Sequence, residues 1–139
     1  MTYLDGLQAT LEAEYAAVFV VGYLGAQTSA SADPKLDELL RTTFAVHRTR
    51  RDELSAAILA EGAEPIAAAP SYDLPTVGTG DSAAIRAEAL RLEKACGATY
   101  GYLVASAPSA KRSWAVDALL DSALRELALG GPPRANPGR

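Results

Sequence analysis

Four stretches of helical period, closed by capping signals and interrupted once by a long proline-rich connection, restrict this 139-residue chain to two helical hairpins and a crossover. No β-alternation or internal repeat competes with that reading. The first stretch opens at Thr2 with Asp5 three residues on, the spacing of a capping box, and runs to about Thr28. Along it Leu7, Leu11, Glu14, Val18, Val21 and Gly25 recur at alternating steps of four and three, the seam of a helix packed nearly parallel to its neighbours. Asp33-Pro34 starts the second helix as N-cap and first helical residue, and Gly62 is a natural stop. Its stripe is Leu36, Leu40, Phe44, His47, Arg51, Leu54 and Ile58.

Residues 63 to 80 are rich in Pro, Ala and Gly and show no period. Extended, such a segment reaches up to about 60 Å, more than the length of a ~40 Å helix, so it can cross the full height of a bundle. Helical pattern resumes from Asp81 to about Ala107, with Ile85, Ala89, Leu92, Cys96 and Leu103 inward and Glu93 at the stripe's edge. Pro108 opens the fourth helix, which carries Val116, Leu120, Leu124 and Leu127 and stops at Gly130-Gly131-Pro132-Pro133. The expected fold is an all-α four-helix bundle over residues 1–130, with a disordered tail over 131–139.

Glu14, His47 and Glu93 interrupt three different apolar stripes, and the chain geometry puts them at one depth. The first hairpin turns between Ala30 and Ser31, so Glu14 and His47 are equidistant from the turn and face each other. A crossover that sets the third helix parallel to the second leaves His47 13 residues past Pro34 and Glu93 12 past Asp81. In the second hairpin Asp121 is the nearest acidic group at that height. Ionisable groups are seldom placed in a core unless they are paired or hold a metal.

Three chemistries fit that cluster. His47, together with Arg50 or Arg51 three and four residues after it, can neutralise Glu14 and Glu93 in a metal-free polar network, as guanidinium groups pair with carboxylates bidentately. A mononuclear Fe, Mn or Zn site would use Glu14, His47 and Asp121, with Glu93 as a further ligand. A dinuclear centre of the ferritin-like kind, which two hairpins joined by a long crossover resemble in connectivity, would imply a lone Glu on each of two helices, matched by Glu14 and Glu93, and a Glu-x-x-His pair on each of the other two. Here the second helix reads Phe44-x-x-His47 and the fourth Asp121-x-x-Leu124, so a bridging carboxylate and a histidine are missing. The metal-free network is the expected state, and no cofactor is required.

Other function classes are weakly supported. The net charge of −4 gives no general attraction to nucleic acid, and the only basic run, Arg48 to Arg51, is followed at once by Asp52-Glu53. His47 is the only histidine and no Gly-x-Ser-x-Gly elbow accompanies it, against a Ser-His-Asp hydrolase. Cys96, alone, reads as a small buried hydrophobe. Asp117, Asp121 and Arg125 read as a solvated face with intrahelical pairs, and Gly97 and Gly101 as a place of tight packing. Tyr15, Tyr23, Tyr100 and Trp114 read as core or interface aromatics whose polar tips need partners. Acidic residues near the N-terminus argue against a signal peptide, and Tyr15 to Ala32 is too polar to span a bilayer, so a cytoplasmic protein is expected. Between Tyr15 and Ala26 the first helix is apolar on every face, which predicts a homodimer through that helix, the crossover covering the remainder.

Two short-looped hairpins joined by one long crossover is the connectivity of ferritin-like bundles. More closely, Ala13-Glu14-Tyr15-Ala16-Ala17-Val18, His47-Arg48-Thr49-Arg50-Arg51-Asp52, Tyr72-Asp73-Leu74-Pro75 and Leu92-Glu93-Lys94-Ala95-Cys96 resemble segments of an uncharacterised actinobacterial family of ferritin-like domains of the DUF4439 type. The resemblance spans residues 5 to about 127. It implies the fold and a place in the ferritin-like superfamily, with a degenerate di-iron site and no established activity. Members of that family usually carry a His after the first-helix Glu, where this chain has Tyr15, which further reduces its capacity for metal.

Overall fold

The computed structural model describes residues 2–139 and contains four α-helices and no strand among them. Helix α1 spans Tyr3–Gln27, α2 Pro34–Ala60, α3 Ser82–Ser106 and α4 Arg112–Ala128, with a single 3-10 turn at Ser109–Lys111 leading into α4. The helix starts follow the local chemistry that the sequence announces. The Thr2 hydroxyl accepts from the Asp5 N–H and the Asp5 carboxylate accepts from the Thr2 N–H, while Asp33 and Asp81 cap α2 and α3 through their side chains. Gly62 and Gly130 close α2 and α4 with φ of 78° and 93°, a conformation that disfavours a Cβ.

Packing fixes the topology. At one end Leu7 and Leu11 of α1 meet Leu54 and Ile58 of α2, Tyr100 and Leu103 of α3, and Ala115 and Ala118 of α4. At the other end Val21 and Leu24 meet Leu36, Leu40, Ile85, Ala89 and Leu129. Both α2 and α3 therefore run antiparallel to α1 and parallel to each other, as a long crossover requires. The layer between these two apolar clusters contains Glu14, His47 and Glu93.

The crossover lies along the outer face of α1. The Gln8 side chain donates to the Glu64 carbonyl and accepts from the Ile66 N–H, the Tyr15 hydroxyl donates to the Ile66 carbonyl, and the Gly80 N–H donates to the Gln27 carbonyl. Phe19 packs its ring against Tyr72 at 5.7 Å. Much of the apolar face that suggested a dimer through α1 is thus covered within the chain, and Phe19, Gly22 and Ala26 stay exposed.

Two expectations are corrected. The stripe Val116, Leu120, Leu124 and Leu127 is not the core face of α4. Its buried residues are Ala115, Ala118, Ser122 and Glu126, while Leu120, Leu124 and Leu127 are exposed. Tyr100, Leu103 and the Arg50 side chain already fill the space beneath Ala115, Ala118 and Ser122, so that only small residues fit at those three positions. The second correction concerns the tail, which folds back over α3 and α4. The Arg134 guanidinium donates to both oxygens of buried Glu126 at 2.7 and 2.8 Å. The backbone of Gly138 fits against Gly101, where an added Cβ would stand 3.0 Å from the Gly138 carbonyl, and Gly97 leaves room for the Glu126 carboxylate. The two glycines do serve close packing, against the tail and a buried carboxylate.

Because Glu126 is buried and ion-paired to the tail, Arg134→Ala should lower stability by about 1–3 kcal/mol. Adding Glu126→Gln should restore part of that loss. The shift of the urea midpoint reads both, and no loss for Arg134→Ala would contradict this role for the tail.

Candidate functional site

Each residue of the central layer is delivered by a helix whose apolar neighbours fix its depth. Glu14 follows Leu11 on α1, His47 lies between Leu40 and Leu54 on α2, and Glu93 follows Ala89 on α3. All three are buried to within 1% exposure. His47 bridges the two carboxylates, with Nδ1 2.5 Å from Glu14 Oε2 and Nε2 3.0 Å from Glu93 Oε2. A carboxylate only accepts, so both ring nitrogens donate here only when the imidazole carries two protons. Burial by itself pushes the His47 pKa down. The hydrogen bonds to Glu14 and Glu93, together with their charges, outweigh burial and raise it from 6.5 to about 9.

Tyr100 completes the coordination of Glu14, its hydroxyl donating to Oε1 at 2.8 Å. Burial, with the Glu14 charge behind it, holds the phenol pKa well above 10.0. The second oxygen of Glu93, Oε1, is buried without a hydrogen-bond partner among the described residues. Cys96 lies one turn beyond Glu93 and is fully enclosed; burial first, then the two carboxylates, raise its thiol pKa far above 9.0. A neutral thiol in such a place is no nucleophile, in agreement with the reading of Cys96 as a buried hydrophobe.

The arginines do not act as the sequence suggested. Arg50 is buried but touches neither Glu14 nor Glu93. It donates to Ser122 Oγ at 3.0 Å, to the Ala118 carbonyl at 3.1 Å and to Asp121 Oδ2 at 2.6 Å, with its guanidinium 5.0 Å from the centre of the Tyr100 ring. Arg51 turns outward and pairs with its neighbour Asp52. Asp121 does not join His47 either. Its side chain is 41% exposed and is shared between Arg50 and Arg125, the latter an intrahelical pair at 2.9 Å. Leu124, at the position where a dinuclear centre would need a histidine, faces solvent, and Tyr15 points to the crossover. Of the residues that the sequence singles out, the structure places Glu14, His47 and Glu93 in contact, and it adds the Tyr100 bond and the Glu126–Arg134 pair, which the sequence does not announce. Tyr100 is one of the aromatics whose polar tips need partners, and Glu14 is that partner. Glu126 gave no signal, since the apolar period of α4 pointed the other way.

The cluster has donors of the kind that transition metals take. Glu14, His47 and Cys96 each offer an atom within 4.8 Å of the others'. Ligands around one tetrahedral ion at bonds of ~2.0–2.3 Å stand roughly 3.3–3.8 Å apart. His47 Nδ1 is hydrogen-bonded to Glu14 Oε2, so metal uptake at that nitrogen would require the pair to open.

A family model described as a domain of unknown function, DUF4439, matches residues 6–139. The chain belongs to the DUF4439 family. That match takes in the tail, consistent with its packing as part of the domain. A search of the solved structures finds a conserved hypothetical protein, rv2844, from Mycobacterium tuberculosis, at 26% identity and a TM-score of 0.80, covering 90% of this DUF4439 chain and 92% of that one. No curated protein matches. Among the described residues no helix is long and apolar enough to cross a membrane.

His47→Ala would strand two buried carboxylates and should cost about 3–5 kcal/mol, read from denaturant unfolding. The raised pKa also sets a pH dependence. The folded state keeps a proton that the unfolded chain releases near 6.5, so the stabilisation is complete below pH 6.5 and is lost as pH rises through about 9. Over that window unfolding free energy should fall by up to about 1.4 kcal/mol per pH unit. A flat profile between pH 6.5 and 9, or the same slope in His47→Gln, would contradict the assignment.

Proposed function

We propose that this chain is a metal-free structural or small-ligand-binding module on a ferritin-like scaffold whose di-iron site has degenerated. One observation carries the reading: the His47 side chain itself fills the space between Glu14 and Glu93, with both ring nitrogens engaged. A ferritin-like origin is supported by the connectivity of two antiparallel hairpins with parallel α2 and α3. The ligand-binding arm is supported by an apolar cavity of about 490 Å3 where α1 begins and α2 ends, within the size of small-molecule sites. Leu7, Leu54 and Leu103 form its floor, and Tyr3, Lys111 and Trp114 its polar-tipped rim. Trp114 is held there by its indole N–H, which donates to Glu53 at 2.7 Å, and its ring meets Tyr100 at 5.9 Å.

A mononuclear metal-dependent oxidoreductase or metal-binding protein is the second reading, favoured by the partnerless Glu93 Oε1 and the neighbouring Cys96 thiol. Its ligands would be Glu14, His47, Cys96 and Glu93; Asp121, committed to two arginines, leaves the set. An Fe, Mn or Zn ion bound there would supply a Lewis-acid or redox centre. Of the chain's own groups, Tyr100 would orient Glu14, and the apolar layers above and below would exclude water.

Elemental analysis of protein purified without chelator separates the readings. The metal-free reading expects well under 0.1 equivalent of any transition metal. Near-stoichiometric metal that disappears in both His47→Ala and Cys96→Ser would overturn it.

A further inference from the structure

Helix α4 is inverted for a bundle helix: it buries Ser122 and Glu126 and presents Leu120, Leu124 and Leu127 to solvent at 52, 65 and 44% exposure. Val116, Leu120, Ala123 and Leu127 follow one another at steps of four, three and four, the repeat by which two helices pack along a common seam, and Leu124 flanks it. An apolar stripe of this kind on a free surface marks a place of association. We propose that the outer face of α4 docks a second copy of this chain, the two α4 helices antiparallel about a two-fold axis that passes between Asp121 and Ser122.

The occupant follows from the seam's own pattern. Reversed about that axis, Val116 of one copy faces Leu127 of the other and Leu120 faces Ala123, so a large side chain meets a small one twice at the centre. A two-fold contact needs this self-complementarity, since every residue meets its partner in both directions. These four positions carry no charge, so the chain's net charge of −4 adds only weak repulsion at the seam. The surface also extends beyond the helix. Ala123 and Leu127 share a hollow with Pro132, Pro133 and Pro137 of the folded-back tail, and Pro137 continues to Tyr102, which is 64% exposed. The 17 residues of α4 are ~25 Å long and a helix with its side chains is ~10 Å across, and the tail that lines a hollow with Ala123 and Leu127 adds a second chain's width, roughly another 10 Å. That is on the order of 500 Å2 in projection, comparable with the ~800 Å2 of accessible surface each partner gives up in a stable complex.

Sedimentation velocity of the full chain at tens of micromolar reads the outcome. The expected mass is twice 14.5 kDa for the wild type and 14.5 kDa for the Leu120→Glu/Leu124→Glu double variant, whose helical circular dichroism should be unchanged. Phe19→Glu, on α1, should leave the dimer intact. Mixing a Leu120→Cys variant with an Ala123→Cys variant should give an oxidative cross-link faster than either alone, Cys96 being enclosed. A monomeric wild type overturns the proposal. So does a dimer that survives the α4 changes and is lost in Phe19→Glu, which would place the contact on α1, and so does a preference for linking Leu120→Cys to itself.

Discussion

Two glutamates closed inside a helical bundle need hydrogen-bond partners that water cannot supply there, and the single His47 ring provides one to each. The rest of the architecture can be derived from that requirement. Glu14, His47 and Glu93 come from three helices, so satisfying one imidazolium fixes the axial register of α1, α2 and α3 together. A slip of one residue on any of them would rotate its group by about 100° out of the layer and strand a buried charge. The apolar clusters above and below supply most of the stabilisation, and the charged layer selects the one register in which they form.

The fourth helix joins this arrangement indirectly. Arg50 passes from α2 under α4 to Asp121, Ser122 and the Ala118 carbonyl while lying over the Tyr100 ring, and Tyr100 holds the second oxygen of Glu14. A continuous chain of polar contacts therefore runs from the α4 surface to Glu14 and on to Glu93. The large side chains of α3 and the guanidinium occupy the volume that leucines of α4 would otherwise fill, which accounts for its alanine and serine inner face. The same crowding turns its leucines outward, where they form the apolar stripe.

The helices, their caps, the crossover and the level of Glu14, His47 and Glu93 were legible in the sequence, because they rest on local chemistry and on counting residues from turns. The orientation of α4 was not. Its apolar period is genuine, but both faces lack strong charge near the centre, and which one faces inward depends on the volume left by Tyr100, Leu103 and Arg50. Arg50 and Arg51 were equally plausible inward residues at three and four positions after His47, and only the packed geometry separates them. The tail defeated a compositional argument, since Pro and Gly suggested disorder while one Arg134–Glu126 pair and a glycine notch hold it against the bundle. Membership of the DUF4439 family and the likeness to the mycobacterial protein support the fold, and the proposed metal-free reading rests on the His47 bridge.

The bridge can be observed directly, because the chain has a single histidine. Nitrogen-15 NMR of the His47 ring, recorded between pH 6 and 10, distinguishes imidazolium from either neutral tautomer by the shifts of its two nitrogens. A bridging imidazolium should show two protonated nitrogens with slowly exchanging ring protons at pH 7.5, persisting to about pH 9. A neutral ring at pH 7.5, with one nitrogen bare, would contradict that bridge.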